Sequence, residues 1–302
     1  MTDRPGKDLF PSLPLEEWED TKNTLHLFLQ IVGKIRLYCF PRKNHWWHVP
    51  FYVSTHGLTT GPIPYGDTLF ELEFDLINHN LVIKTGSGPT RFMALKGISV
   101  SEFYMALLTN LSDLHLDIKY QKPFPYDVPF SSEPFESDFV HASYDKRYVH
   151  NFWRILTQVD SVFQEFRGRF TGKSTPPHLF WHHMDLALTR FSGRTAPVRE
   201  GAGLVEREAY SHEVISFGFW AGDENMRAPA FYGYAAPVPE GLFREPLAPD
   251  EAAWNETAGM AVMMYDSIRQ ADDPRGKIME FLDSVYQAGA KCAGWDVDAL
   301  EL

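Results

Sequence analysis

Three side chains that can bind an anion alternate in the second half of the chain, at Arg190, Ser192 and Arg194. The pattern predicts the end of a strand here, where alternate residues project from one face. Two guanidinium groups with a hydroxyl between them would bind a carboxylate or a phosphate. Lys34, from a predicted helix near the N-terminus, would add a third positive charge. The alternative is internal pairing of these arginines with one of four acidic residues, Glu71, Glu73, Asp75 or Glu213.

A second group of residues has side chains that exchange protons. Tyr210, His212 and Glu213 lie at the start of a predicted strand, close to Glu208. A histidine beside a carboxylate and a tyrosine is a credible general acid/base set, because histidine titrates near neutral pH. We therefore take Tyr210, His212 and Glu213 as catalytic candidates. The alternative is a structural network that ties the strand to a neighbouring loop.

Two tryptophans and two histidines follow one another at residues 45–48. Ligand pockets typically combine aromatic walls with a few polar groups that orient the ligand. We predict that His45, Trp46 and Trp47 line a ligand site. His48 would reach into that site as a catalytic candidate, and Tyr232 would add a further wall. The alternative is that a tryptophan is part of the core and that the histidines bond loop carbonyls.

A metal site is an alternative for the sequence His182-His183-Met184-Asp185. On a strand, His183 and Asp185 would share a face, and three protein ligands with an open position would form a catalytic centre. The third ligand would come from one of three histidines, His45, His48 or His212. We favour the simpler interpretation, in which His183 and Asp185 form a hydrogen-bonded polar patch and Asp185 contacts a ligand. The sequence identifies no cofactor.

Two stretches of the chain resemble each other, residues 47–62 and residues 181–197. Each begins with Trp-His, continues through a mostly apolar run to a threonine, and ends at a Gly/Pro turn. Each also follows a long helical pattern. We predict two related halves, residues 1–121 and 147–302, joined by a crossover segment at 122–146 into one compact unit. Ligand sites favour such junctions.

The elements that must position these residues follow from the hydrophobic pattern. Helices are predicted at residues 15–38, 101–112, 147–170, 250–270 and 274–293, with Ser99 as a cap of the second. Strands are predicted at residues 46–56, 69–77, 81–85, 178–191, 213–220 and 229–236, and a loop at 57–66. Short turns between consecutive strands favour antiparallel pairing. The fold class is therefore α+β, an antiparallel sheet flanked by helices, with each half ordered helix, three strands, helix.

Composition narrows the classes of partner and compartment. The chain has 302 residues and a net charge of −12, without a basic cluster, so neither nucleic acid nor a membrane surface is an expected partner. Two cysteines exclude a disulfide framework. The N-terminus lacks the features of a signal peptide, and a cytoplasmic protein is expected. The oligomeric state is not predicted.

Six motifs carry a family resemblance over nearly the whole chain. They occupy residues 30–34, 45–50, 61–66, 141–145, 189–194 and 208–214, and include the stretches QIVGK, HWWHVP and TRFSGR. On these motifs the chain resembles the DUF5996 family, a bacterial family of unknown function. The resemblance implies a soluble bacterial protein and supplies no activity.

Together these residues predict a small-molecule-binding protein or an enzyme. Its aromatic and polar cavity would lie near the junction of the two halves, and its ligand would be anionic. Two alternatives stay open, a metal-dependent enzyme with His/Asp ligands and a non-catalytic interaction protein.

Overall fold

The computed structural model describes residues 9–198 and 200–302. Within these residues the helices are Leu15–Cys39 (α1), Val100–Asp113 (α2), Lys146–Gly168 (α3), Leu204–Ala209 (α4), Tyr265–Ile268 (α5), Pro274–Ala293 (α6) and Val297–Leu300 (α7). The strands are Tyr52–Val53 (β1), Gly57–Thr59 (β2), Ile63–Tyr65 (β3), Thr68–Asp75 (β4), Asn80–Thr85 (β5), Thr90–Ala94 (β6), His178–Phe180 (β7), Asp185–Thr195 (β8), His212–Trp220 (β9), Ala230–Ala236 (β10), Ala252–Asn255 (β11) and Met260–Met264 (β12). Short 3-10 helices occupy Asn44–Trp46, Phe135–Ser137 and Leu242–Arg244.

The strands form two antiparallel sheets that meet at one seam. The first sheet has the order β1-β2-β4-β5-β6, with β3 paired to β4, and the second has the order β11-β12-β10-β9-β8-β7. At the seam, Phe51 and Leu179 exchange two backbone hydrogen bonds of 2.8 Å. The predicted α+β class with antiparallel sheet and flanking helices is confirmed.

Helix boundaries follow local capping chemistry. Ser99 and Glu102 form a reciprocal capping box at the start of α2, which confirms the predicted cap. Asp145 accepts a hydrogen bond from the backbone N–H of Arg147 and so caps α3. The long helices end close to the predicted positions because their apolar residues recur at helical spacing.

Aromatic residues fill the core between the sheets and the helices. In the first sheet, Phe74 stacks on Phe103 of α2, which in turn stacks on Phe28 of α1 at 4.1 Å between ring centres. In the second sheet, Phe217 packs edge-to-face on Phe166 of α3. We call the surface of the second sheet opposite Phe217 the outer face.

Residues 250–270 were predicted as a helix, and this was wrong. The structure forms β11, β12 and the short α5 instead. In β12, Ala261 and Met263 are buried whereas residues 260, 262 and 264 are half-buried, which is the period of a strand. A turn at Gly259, in the left-handed region with φ 70°, joins the two strands.

Other predicted strands are divided in the structure. Residues 46–56 hold part of a 3-10 helix and the two-residue β1, and the predicted loop at 57–66 contains β2 and β3. Residues 178–191 form the hairpin β7–β8, with Trp181 and His182 in its turn. Within the described residues, each half therefore contains six strands rather than three. Trp47-His48 precedes β1 whereas Trp181-His182 follows β7, and the relationship between the halves stays a prediction.

Among the helices at residues 9–198 and 200–302, none has the length and apolar character needed to cross a bilayer.

Candidate functional site

The outer face of the second sheet carries many of the predicted site residues. Strand register places Thr189 beside Ser216 and Tyr234, and Ala187 beside Gly218 and Tyr232. Since alternate residues of a strand share a face, the outer face bears Asp185, Thr189, Phe191, His212, Ser216, Tyr232 and Tyr234. The two tyrosines, Asp185 and His212 are half-buried, so the outer face is partly exposed at these four residues.

Residues 42–48 of the first half lie at one end of the outer face, and we call this segment the strap. His45 and Trp46 have φ values of 54° and 61°, the left-handed region that non-glycine residues rarely adopt. Arg42 pairs with Glu208 of the second half, and His45 Nδ1 lies 3.2 Å from the carbonyl of Ala209. Strain of this kind persists only where surrounding contacts enforce it, and it concentrates at functional sites.

Lys173 of the second half contacts the strap through the side chain of His45. The two atoms Lys173 Nζ and His45 Nε2 are 2.8 Å apart, and the ammonium lies 5.1 Å from the ring centre of Trp47 and 4.8 Å from that of Phe191. A charged lysine is a donor only, so His45 Nε2 accepts and Nδ1–H donates to Ala209. Among the described residues, no carboxylate lies within ion-pair distance of Lys173.

The electrostatics keep this histidine neutral. Burial, and then the charge of Lys173, lower the pKa of His45, which is 5% exposed. Burial also lowers the pKa of Lys173. The contact therefore consists of a positively charged lysine and a neutral imidazole, and further ammonium hydrogens stay free to bind a ligand.

His212 completes this group. Its ring centre lies 5.4 Å from that of His45, and its Nδ1 is 3.1 Å from Ser211 Oγ. Together, His45 and Trp47 from the first half and Lys173, Phe191 and His212 from the second half form what we call the junction cluster. Three predicted site residues, His45, Trp47 and His212, thus come together where the halves meet.

Tyrosine and aspartate side chains extend the polar surface along the outer face. Tyr232 donates a 2.5 Å hydrogen bond to Asp185 Oδ2, and the hydroxyls of Tyr234 and Tyr210 are 2.9 Å apart. The rings of Tyr232 and Tyr234 are nearly parallel, with centres 6.1 Å apart. Burial raises the pKa of Asp185 even though the Tyr232 hydrogen bond lowers it. The predicted residues Tyr210, Asp185 and Tyr232 therefore share one surface with His212.

His48 and Trp46 support the strap. His48 is 4% exposed, its ring stacks on Trp46 at 5.3 Å, and its Nδ1 accepts the backbone N–H of Lys43 at 3.3 Å. Burial lowers the pKa of His48. Because its Nδ1 is occupied by the strap itself, His48 holds the conformation of this segment.

The predicted clamp of Arg190, Ser192 and Arg194 does not form. A register shift between Phe191 and Thr195 interrupts the alternation on which the clamp depended. Arg190 is on the helix-facing side and 1% exposed. Its guanidinium donates to the carbonyl of Phe166 and lies 3.5 Å from the centre of that ring.

Arg194, Ser192 and Glu213 form a separate group at the end of α6. Arg194 Nε and Ser192 Oγ donate to Glu213 Oε2 at 2.8 Å and 2.9 Å. Arg194 also donates to the carbonyls of Ala293 and Gly294, where α6 ends. A cation at this position satisfies the last carbonyls of a helix and its negative pole. Arg194 therefore fits the alternative interpretation, internal pairing with Glu213. The side chains of Glu213 and His212 are on opposite faces of β9, because they are adjacent in a strand.

Lys34 lies away from these arginines. It is 5% exposed, and its Nζ is 5.8 Å from the ring centre of Trp181 in the β7–β8 turn.

His183 and Asp185 do not act as a pair. His183 is in the turn before β8, and its Nε2 lies 3.3 Å from Asp127 Oδ2, whereas Asp185 bonds Tyr232. The described part of the chain holds no group of three or more His, Cys, Asp or Glu side chains placed to bind a metal ion. The predicted shared strand face is lost because a turn separates the two residues.

Two cavities in the described structure lie outside the junction cluster. One of about 290 Å³ is lined by Glu213, Glu240, Cys292 and Trp295 among others. The second, of about 250 Å³, lies at the acidic start of α1.

Sequence reasoning missed Lys173 and Phe191. Lys173 ends the stretch Gly168 to Lys173, which has no phosphate-loop pattern, and a single lysine in a loop has no distinctive signal. Its role arises from backbone pairing, since the N–H of Phe191 bonds the carbonyl of Lys173 at 3.0 Å.

A family model matches residues 10–302, a range that contains both sheets, the strap and the junction cluster. Comparisons with curated proteins and with solved structures give no match. The resemblance carried by the sequence motifs is confirmed, and the chain belongs to the DUF5996 family, a family of unknown function.

Proposed function

We propose that this protein binds a small organic anion at the junction cluster. The observation that carries the proposal is Lys173, whose ammonium bonds a neutral His45 between two aromatic rings and has no carboxylate partner among the described residues. Lys173 is exposed as a residue, but its contacts with His45 and the two rings remove part of the hydration of the ammonium, and this desolvation lowers its pKa. A cation in this state without a counter-charge favours an anionic ligand, because the anion replaces the lost hydration.

The surrounding groups suit a ligand with a flat apolar body. Trp47 is half-buried and offers a ring surface beside the ammonium. Phe191 is 2% exposed and packs edge-to-face on Trp47, with ring centres 5.8 Å apart, so it supports that surface from below. His212 lies at the edge of His45 and is half-buried, so it is the group suited to exchange a proton with a bound ligand. Tyr232 and Asp185 would bond polar groups further along the outer face.

Benzoate is a suitable first probe, with benzamide as its neutral counterpart. Titration calorimetry and the imidazole signals of His45 and His212 would measure binding. We expect benzoate to bind, benzamide to bind at least about tenfold more weakly, and Lys173→Met to remove the difference. Removing one charge-assisted contact typically costs 1.5–3 kcal/mol, or about ten- to a hundredfold in affinity.

Lys96→Met provides the matched control, because Lys96 is exposed and lies after β6 in the first sheet. It is expected to bind benzoate as the unsubstituted protein does. Equal affinity of the Lys173→Met variant, or benzoate and benzamide signals that do not differ, would overturn the proposal.

A further inference from the structure

Lys173 differs from the ion-paired lysines of this protein. Lys84, Lys277 and Lys291 each contact a carboxylate. The hydrogen bonds to those carboxylates raise the pKa of Lys84 and of Lys291. Lys173 instead contacts the neutral ring of His45, and desolvation lowers its pKa. Its ammonium therefore loses a proton more readily than that of an ordinary lysine, and the neutral amine is a nucleophile.

A small molecule can also reach Lys173, in contrast to Lys34. Burial, and then the charge of Lys122, lower the pKa of Lys34 to about 8, but Lys34 is 5% exposed. Lys173 is exposed as a residue, and the half-buried ring of Trp47 lies beside its ammonium. A lowered proton affinity and exposure to solvent therefore coincide at Lys173.

An amine of this kind reacts with an aldehyde or a ketone to form an imine. The ammonium first gives up one proton, and the nitrogen lone pair then forms a C–N bond while the C=O double bond breaks. The carbonyl oxygen leaves as water with two of the hydrogens that the ammonium carried. The products are a protonated imine and water, so the charge is conserved and no further reactant is consumed.

His45 is placed to move the protons of this reaction. Its Nε2 accepts a hydrogen bond from Lys173 Nζ at 2.8 Å, while its Nδ1–H donates to the carbonyl of Ala209 at 3.2 Å. It can therefore take a proton from the ammonium and return it to the departing oxygen. Because burial lowers the pKa of His45, its protonated form is a good acid and returns that proton readily.

A protonated imine at Lys173 would keep the contacts that the ammonium has. It retains one N–H for His45 Nε2 and a positive charge close to the rings of Trp47 and Phe191, whose centres lie 5.1 Å and 4.8 Å from Nζ. This charge has no carboxylate partner in the described part of the chain. A ligand carboxylate next to the reacting carbonyl carbon would supply the missing counter-charge.

We propose that Lys173 forms an imine with a 2-oxo acid, a compound whose carbonyl group is adjacent to a carboxylate. Lys173 is the nucleophile of this step, and His45 transfers its protons. The inference rests on the proposed function, because the carboxylate of the 2-oxo acid is the anion bound at the junction cluster.

Reductive trapping tests this chemistry with three small probes. Pyruvate carries both groups, acetone carries only the carbonyl, and lactate carries only the carboxylate. Sodium cyanoborohydride reduces an imine to a stable secondary amine, which peptide mass spectrometry locates. We expect pyruvate to modify Lys173 at least about tenfold faster than exposed Lys96, acetone to show no such preference, and lactate to slow the pyruvate reaction as a competitor.

Two variants separate proton transfer from anion binding. His45→Asn places a residue that tolerates the φ of 54° and removes the imidazole, so it should slow trapping at Lys173 at least about tenfold and leave Lys96 unchanged. Lys173→Arg keeps the positive charge, so it should still bind benzoate, but it should form no adduct at position 173.

The comparison of the probes on the unsubstituted protein is decisive even if a variant does not fold. The imine is overturned if pyruvate modifies Lys173 no faster than Lys96, or if acetone shows the same preference for Lys173 as pyruvate does. If benzoate still binds in calorimetry, either result removes the imine alone and leaves the anion site in place. Absence of benzoate binding would instead overturn the proposed function.

Discussion

The hydroxyl of Tyr232 reaches across strand β9 to Oδ2 of Asp185 on β8, and it does so over Gly218. A Cβ at Gly218 would overlap the phenol ring of Tyr232. The absence of a side chain on β9 is therefore what allows a residue of β10 to bond a residue of β8. This contact orders the outer face next to the junction cluster.

Gly218→Ala is expected to destabilise the protein by about 1–3 kcal/mol, because the added methyl overpacks a filled position. Urea denaturation measures the change in free energy of unfolding. In a Tyr232→Ala background the ring is gone, so the same substitution should cost much less. A cost that is the same in both backgrounds would show that the ring of Tyr232 is not the obstacle.

Gly33→Ala should also destabilise the protein, although alanine favours a helix by about 1 kcal/mol. A Cβ at Gly33 would overlap the indole of Trp181, which ties α1 to the second half. We expect a net loss of about 1–3 kcal/mol in thermal or urea unfolding. Gly168→Ala in α3 is the matched control, because its Cβ would meet no atom within 4 Å. It should be neutral or stabilising, and similar losses in both variants would contradict the account.

Arg190→Lys should lower stability without changing affinity for benzoate. The guanidinium lies among the rings of Phe166, Phe170 and Tyr286, and an ammonium cannot stack in the same way. The expected loss is about 1–3 kcal/mol. Arg91→Lys on the exposed strand β6 serves as control. A loss of benzoate affinity at unchanged stability would contradict this account and would indicate that Arg190 contributes to ligand binding.

Asp160 in α3 should make stability depend on pH. Burial raises the pKa of Asp160 from 3.8 to about 6. The native state therefore binds this proton more tightly than the unfolded state does, so this group's contribution falls as pH rises from 3.8 to about 6. Asp160→Asn should remove that loss and stabilise the protein by about 3 kcal/mol at pH 7. Denaturation curves between pH 4 and about 7 test this against exposed Asp117→Asn; a pH-independent difference would contradict it.

Local patterns were sufficient for most of the long elements. The helical spacing of α1 and α3, the Ser99 cap and the alternation of Phe70, Leu72 and Phe74 in β4 depend on neighbouring residues, and the structure confirms them. The helix predicted at residues 250–270 is wrong because short apolar runs fit the period of a helix and the period of a strand equally well. The sequence predicts a single strand at residues 178–191 instead of the hairpin β7–β8, because the turn from Trp181 to Met184 contains no glycine or proline.

The sequence by itself determined the α+β class, the family and the candidate site residues His45, Trp47 and His212, because these follow from residue types and short-range spacing. Only the tertiary structure decided that Lys173 joins them, that a register shift separates Arg190 from Arg194, and that Tyr232 crosses Gly218 to Asp185. Each of these depends on strand register or on contacts between the two halves. Such contacts join residues far apart in the chain, 128 positions in the case of His45 and Lys173, and the local spacing of residues does not indicate them.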